Sequence, residues 1–282
     1  MKDMRQPIAR HFYPGDCRKQ IEWFLTDYKV PKIIPVKPIA AVLPHAGWSY
    51  SGATAARCLF CLAQQRIPDT VIIFGTDHTG VYQHALYPSG RWVTSLGVLN
   101  IDKELGTKIL NEMPDLIINA PEAHVNEHSI EVLTPMVKYF WPNAQFLPIT
   151  VKPELSSIDL GHNLGKILSG RNDVVVLAST DLTHYGSVYG FAPAGLGAEG
   201  FRWLCKNDRQ MITAITTGTP VEILDEARNN RNACGAGAVA ALKAFVIETG
   251  LDNGHLIEYT TSHGSQSPEE FEYGVGYAGI VF

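Results

Sequence analysis

Three short apolar runs, each ending a few residues before a histidine, constrain this chain most. They are AAVLPHAG with His45, VIIFGTDH with His78 and VVVLASTDLTH with His184. Continuous runs of Val, Ile, Leu and Ala over four to six residues suit strands buried on both faces, as in parallel sheets. Helical patterns lie between them. SYSGATAARCLFCLAQQ, DKELGTKILNEM, LGHNLGKILSG with Gly170 as its carboxyl-terminal cap, residues 198–217 and 220–229, and ACGAGAVAALKAFVIETG all read as helices. IIPVKPIAAVLPHAG reads as a strand running into a loop, and QFLPITV, HLIEYTTSHG and FEYGVGYAGIVF as further strands. EHSIEVLTPMVKYFW reads as one helix, with Ile130, Leu133, Val137 and Phe140 on one face and a kink near Pro135. Alternating strands and helices predict an α/β fold with a mixed, mainly parallel central sheet and helices on both sides. In such sheets ligands bind in the loops where strands end, and the three histidines stand at those loops.

With 282 residues and 45% hydrophobic content the chain can bury a large core, in one large domain or two small ones. A net charge of -5 and the lack of any basic run leave no electrostatic footprint for nucleic acid. No stretch approaches the ~20 apolar residues of a membrane helix, and the start has no apolar segment behind its basic residues. The cytoplasm is the expected compartment. The five cysteines are scattered and odd in number, which argues against a disulfide framework. Cys58 and Cys61 form a C-x-x-C inside the apolar run AARCLFCLA, and a buried structural role is expected for both.

Histidine is the commonest metal ligand, and parallel strand ends converge on one edge of a sheet, so His45, His78 and His184 are expected to meet. Cys234, in NNRNACGAGAVAAL, stands where a helix begins. A cysteine at a helix amino terminus has a lowered pKa and binds metals as thiolate; the alternative is a small residue buried at a helix–sheet contact. Asp77 and Asp181 lie beside these histidines. A carboxylate there can fix an imidazole tautomer, and Asp77 can equally cap a helix. His124 and His128 are spaced i, i+4, but Glu127 directly precedes His128 and the zincin order is absent; His128 is a candidate for a site wall. His11, His84, His162, His255 and His263 read as surface or structural residues. PAGLGAEG matches no phosphate fingerprint, and the G-x-S-x-G elbow is missing.

Seven blocks in order, RQPIARHFYPGD, PHAGWSYSG, GTDH, EHSIE, STDLTHY, ACGAG and EYGVGYAGIVF, resemble the Memo family, known in microbes as AmmeMemoRadiSam system protein B. The resemblance runs nearly end to end and implies a single domain over residues 1–282. It further implies a three-layer α/β/α fold similar to that of the class III extradiol dioxygenases, which hold non-haem Fe(II) with two histidines and a glutamate. Carried over, His45 and His78 match the histidine ligands, Cys234 falls at the carboxylate ligand, and His184, with Asp181, matches the acid/base histidine. His128 and Trp48, the latter where a tyrosine is usual, are implied as site-lining residues, with Asp77 nearby. Thr180 and Thr183 replace commoner serines, and Gly-Ala-Gly-Ala follows Cys234. Fe(II) is the implied metal. A thiolate ligand also admits Cu or Zn, and thiolate beside O₂-reactive iron is prone to oxidation. The resemblance implies either an oxidoreductase acting on a small, possibly phenolic, molecule or a protein that binds redox copper or iron without turnover, with a functional link to a radical-SAM protein. A thiol hydrolase built on Cys234, His184 and Asp181 is a further reading of the same residues.

Overall fold

The computed structural model describes residues 4–32, 37–80 and 83–282. In chain order its strands are β1 (Met4–Arg5), β2 (Ala40–Leu43), β3 (Thr70–Thr76), β4 (His84–Leu86), β5 (Arg91–Thr94), β6 (Gly97–Asn100), β7 (Ile117–Asn119), β8 (Gln145–Val151), β9 (Val174–Ser179), β10 (His184–Gly186), β11 (His255–Thr261) and β12 (Tyr273–Val281). Its helices are α1 (Cys17–Phe24), α2 (Trp48–Ala63), α3 (Lys103–Glu112), α4 (Thr134–Phe140), α5 (Ser156–Ile167), α6 (Gly197–Thr217), α7 (Pro220–Asn230) and α8 (Ala236–Glu248).

The apolar runs form the interior of one sheet, ordered β10-β12-β2-β9-β3-β8-β4-β7 with β11 beside β12. Its centre, β2, β9, β3 and β8, is parallel, and β12 and β4 flank it antiparallel. Every residue of β2, β3 and β9 is buried, as strands covered on both faces must be. α8, buried along most of its length, packs on β3, β9 and β2 and against α5, while α2 packs on β2, β11 and β12 and against α1 and α4. This is the three-layer α/β/α architecture with a mixed, mainly parallel sheet. A small second sheet, β1-β5-β6, ties the amino-terminal segment to the body. Cys58 and Cys61 are buried in α2. Among the described residues no helix is long and apolar enough to cross a membrane.

Three sequence expectations change. Residues 127–141 do not form one helix: residues 127–130 are irregular, Glu131–Leu133 is a 3₁₀ turn, and α4 starts at Thr134 with Pro135 in its first turn. Proline lacks the N–H that a continuing helix needs there, so it begins the helix rather than kinking it. The run ending at His184 is two strands, because β9 stops at Ser179 and His184 opens β10 at the far edge of the sheet. Of the strand expected in IIPVKPIAAVL, residues 33–36 lie outside the described residues, and β2 begins at Ala40.

Candidate metal centre

The parallel strands β2, β3 and β9 end on the same edge, and each puts a side chain into one site two residues beyond its end: His45, His78 and Asp181. Cys234 arrives two residues before α8. One ligand atom from each of His45, His78 and Cys234 lies within 4.8 Å of the other two. Cys234 Sγ and His45 Nε2 are 3.3 Å apart, a spacing that two ligands of one small cation adopt when bonds are ~2.0–2.3 Å. Two glycines permit this convergence. A Cβ on Gly235 would stand 2.2 Å from Ser179 O, and one on Gly75 would stand 2.3 Å from Ile130 Cγ1. Without those close approaches Cys234 and the 127–131 segment would be held off the strand ends.

Hydrogen bonds fix which nitrogen each histidine presents. Ser179 Oγ donates its only proton to Ser129 O (2.7 Å) and also lies 2.7 Å from His45 Nδ1. His45 Nδ1 is therefore the donor, and Nε2 carries the lone pair facing Cys234. Burial, then the neighbouring His78 and His128, push the His45 pKa well down and keep the ring neutral. His78 Nδ1 lies 2.9 Å from Glu127 Oε1, and Glu127 also accepts from the backbone N–H groups of His78 (2.8 Å) and Ser129 (2.7 Å). Burial alone would raise the Glu127 pKa; the His78 hydrogen bond and charge, with those N–H groups, outweigh it and bring it to about 2. The same contact raises the His78 pKa against its own burial. Glu127 is thus a fixed carboxylate that orients His78 and leaves Nε2 to ligate, the usual support of a metal-bound imidazole.

The cysteine departs from expectation. Cys234 precedes Gly235, the amino-terminal cap of α8, but its thiol pKa is pushed up to about 12 by burial and by the Asp181 carboxylate, despite the Asp181 N–H aimed at the sulphur (3.3 Å). The helix terminus does not by itself create a thiolate. A bound cation reverses that balance, because coordination deprotonates a thiol. The half-buried sulphur, the neutral His45 and the oriented His78 fit a metal ion.

His184 and Asp181 lie on another side of this group, in the segment that follows β9. Asp181 Oδ1 accepts from His45 N (2.8 Å) and Ala46 N (3.2 Å), and Oδ2 lies 4.0 Å from His45 Nε2. Burial raises the Asp181 pKa and lowers that of His184, each opposed by the other's charge. Asp208 of α6 accepts from Thr183 N (2.9 Å) and Tyr259 Oη (2.7 Å), anchoring the chain just before His184. His128 stacks on His78 at 4.6 Å between ring centroids and meets Phe12 at 4.8 Å. His78, Glu127 and His128 form a second group of donor atoms within 4.8 Å, but Glu127 is already committed to its N–H donors. Beside the centre a cleft of about 600 Å³ is lined by His128, Asp181 and His184 together with Tyr50, Tyr189 and Tyr277.

Two expected site-lining residues, Trp48 and Asp77, do not line the cleft. Trp48 is buried at the start of α2, its indole N–H donating to Val132 O (3.0 Å) and its ring near Tyr13 and Phe24. A large apolar ring placed between helix and sheet becomes core. Asp77 Oδ1 accepts from the N–H groups of Thr79 (3.0 Å) and Gly80 (3.1 Å), shaping the loop after β3. His124 does not accompany His128; its ring is buried beside Tyr87 and Trp92, with burial lowering its pKa to about 4. Sequence reasoning overlooked Glu127, Ser179 and Asp208, and it set aside His263, which lines the cleft. EHSIE shows an acid directly beside a site histidine, but its burial and its bond to His78 appear only in the fold.

The chain is similar to known proteins along nearly its whole length. The Memo-like protein family model matches residues 6–281. The chain is 34% identical to a MEMO1 family protein of Thermococcus onnurineus, over 98% of this chain and 97% of that one. It is 33% identical to a MEMO1 family protein of Pyrococcus furiosus, over 98% of both chains. Among solved structures, an uncharacterized protein from Escherichia coli superposes with a TM-score of 0.52 at 11% identity, covering 85% of this chain and 99% of that one. At that identity the likeness is one of fold alone.

Proposed function

This chain belongs to the Memo family, and from that premise we propose that it is a metal-dependent oxidoreductase of the dioxygenase-like class, with His45, His78 and Cys234 as ligands of Fe(II). The observation that carries the reading is the paired orientation of His45 by Ser179 and His78 by Glu127, which presents two imidazole nitrogens to the half-buried Cys234 sulphur. Iron held by three protein ligands would supply redox chemistry and open positions for O₂ and a small phenolic molecule. The remaining steps belong to side chains. Cys234 would hold such an ion as its thiolate, which requires loss of the thiol proton. His184, kept neutral by burial and facing Asp181, takes a proton from the substrate as general base. Asp181 holds the resulting imidazolium by its charge while its Oδ1 keeps His45 and Ala46 in place. Phe12 packs on His128, which in turn stacks on His78 and covers the centre from that side.

The test is metal content and O₂ consumption of anaerobically purified protein across a panel of phenols. The reading expects about one iron per chain, loss of metal in Cys234→Ser, and retained metal with lost turnover in His184→Ala. Protein without transition metal, or with metal content indifferent to Cys234→Ser, contradicts it. A second reading is favoured by Cys234 itself: a soft sulphur ligand suits copper or zinc as well as iron and is oxidisable beside O₂, so the same centre serves a protein that holds redox copper or iron without turnover. Tight metal binding with no O₂ or phenol consumption selects that reading.

A further inference from the structure

The cleft beside the centre has a charge character of its own. None of its lining residues among the described ones is a lysine or arginine, whereas Glu270 and Glu272 line it and are exposed, and Asp181 lies at its inner end. Tyrosine rings make up much of the remaining surface: Tyr50, Tyr189 and Tyr273 are each more than a third exposed. Burial and the charges of Tyr273, Asp181 and Tyr50 hold the Tyr189 phenol above its usual pKa, so that ring keeps its neutral, electron-rich face. Phenol rings with carboxylates and no fixed cation are the surroundings that an organic ammonium group prefers. The carboxylates supply attraction, the ring faces supply cation–π contact, and no lysine or arginine stands in the lining among the described residues to repel a positive charge. The same surroundings disfavour a carboxylate or phosphate at the same place by like-charge repulsion. The cleft's volume of about 600 Å³ is that of a small-molecule site.

We propose that this cleft selects small organic amines: the ligand's polar or aromatic end reaches the histidine–cysteine centre, and its ammonium group lies at the rim against Glu270 and Glu272 among the tyrosine rings. This rests on the reading of that centre as the reactive end of the site. Glu270 and Glu272 act as specificity-determining residues. The family resemblance suggests a phenolic ligand; the cleft adds the sign of the charge that the ligand carries at its other end.

The experiment compares tyramine, 4-ethylphenol and 3-(4-hydroxyphenyl)propionate, which share a phenol and differ in tail charge, by titration calorimetry on metal-free and zinc-loaded protein. The metal-free protein is the primary arm, because a carboxylate probe has no metal to bind there. Expected is binding of tyramine about tenfold tighter than the propionate, with 4-ethylphenol between, since each partly exposed ion pair is worth a few-fold. Combining Glu270→Gln with Glu272→Gln should bring the ratio to within about twofold, and Glu272→Lys should favour the propionate; both positions are exposed, and unchanged melting checks the fold. Equal or tighter binding of the propionate by the unaltered protein, a ratio that survives the double substitution, or no binding of tyramine at millimolar concentration overturns the proposal. An amine preference in protein that takes up no metal would leave the cleft's selectivity standing and remove the metal reading. Metal uptake without any charge preference would do the reverse.

Discussion

The wall formed by residues 127–131 and the wall formed by residues 180–184, backed by Asp208, both set buried carboxylates beside the site, and they shift those carboxylates in opposite directions. On the first wall, burial is outweighed: Glu127 has His78 and two N–H groups, and Glu131 has Arg5, the N–H groups of Ile8 and Ala9, and the Tyr13 hydroxyl. Both stay ionised. On the second wall, burial prevails: Asp181 and Asp208 receive backbone or hydroxyl donors but no fixed cation, and both pKa values rise, Asp208 to about 6. One wall therefore carries permanent negative charge, which suits holding a cation and orienting its ligands. On the other, burial favours the protonated carboxyls, that of Asp181 opposite His184, which suits moving a proton. Separated pKa values of this kind assign acid/base roles more securely than residue identity does.

Breaking the first wall should have the largest effect. Glu131→Ala leaves Arg5 buried beside Trp92 without its counter-charge and leaves its other donors unpaired. Removing one partner of a buried pair costs ~3–5 kcal/mol, so chemical denaturation should show a loss of that order, with the amino-terminal segment the first to become protease-sensitive. A loss under 1 kcal/mol would mean that the clamp contributes little. Glu127→Gln should cost less stability but lower metal affinity about 10–100-fold, the usual effect of removing a carboxylate behind a ligating histidine. Competition titration against a chelator reads this directly. If affinity holds and only stability falls, the two glutamates do the same job and the contrast within the first wall fails.

The smallest effect concerns the second wall. A carboxylate whose pKa is higher folded than unfolded adds stability that is fully present below the unfolded value and is lost as pH rises through the folded value. For Asp208 the window runs from the ordinary aspartate range up to about 6. Asp208→Asn keeps an acceptor for Thr183 N and should flatten the stability-against-pH curve across that window relative to the unaltered protein. A difference on the order of 1 kcal/mol is expected, since a tenfold change in proton affinity corresponds to ~1.4 kcal/mol and relaxation removes part of it. Parallel curves for the two proteins would show that Asp208 is not held up by burial.

Much of this was readable from the chain. The runs VIIF and VVVLA have no polar face, so they had to be central strands, and parallel neighbours bring their ends to one edge. That placed His45 and His78 together and led to the expectation of His184 beside them; β9 instead ends early, bringing Asp181 to the strand end and leaving His184 on β10. What could not be read depends on distant partners. Glu127 gains its role from a histidine 49 positions away, and Ser179 sets the His45 tautomer only because Ser129 takes its proton. Cys234 has the local setting of a reactive thiolate, yet burial beside Asp181 raises its pKa, and burial is a tertiary property. Trp48 follows His45 closely, but a helix starting at that residue turns the ring into the core. The cleft's rim comes from residues 262–277, which β12 folds against the His184 strand.

Every role assigned to these walls depends on Cys234 and two histidines binding one metal ion. X-ray absorption at the zinc edge of zinc-loaded protein decides that point. One sulphur at ~2.3 Å and two imidazole nitrogens at ~2.0–2.1 Å are expected, with the sulphur contribution gone in Cys234→Ser. A spectrum with no sulphur, or one unchanged by that substitution, would contradict the shared site.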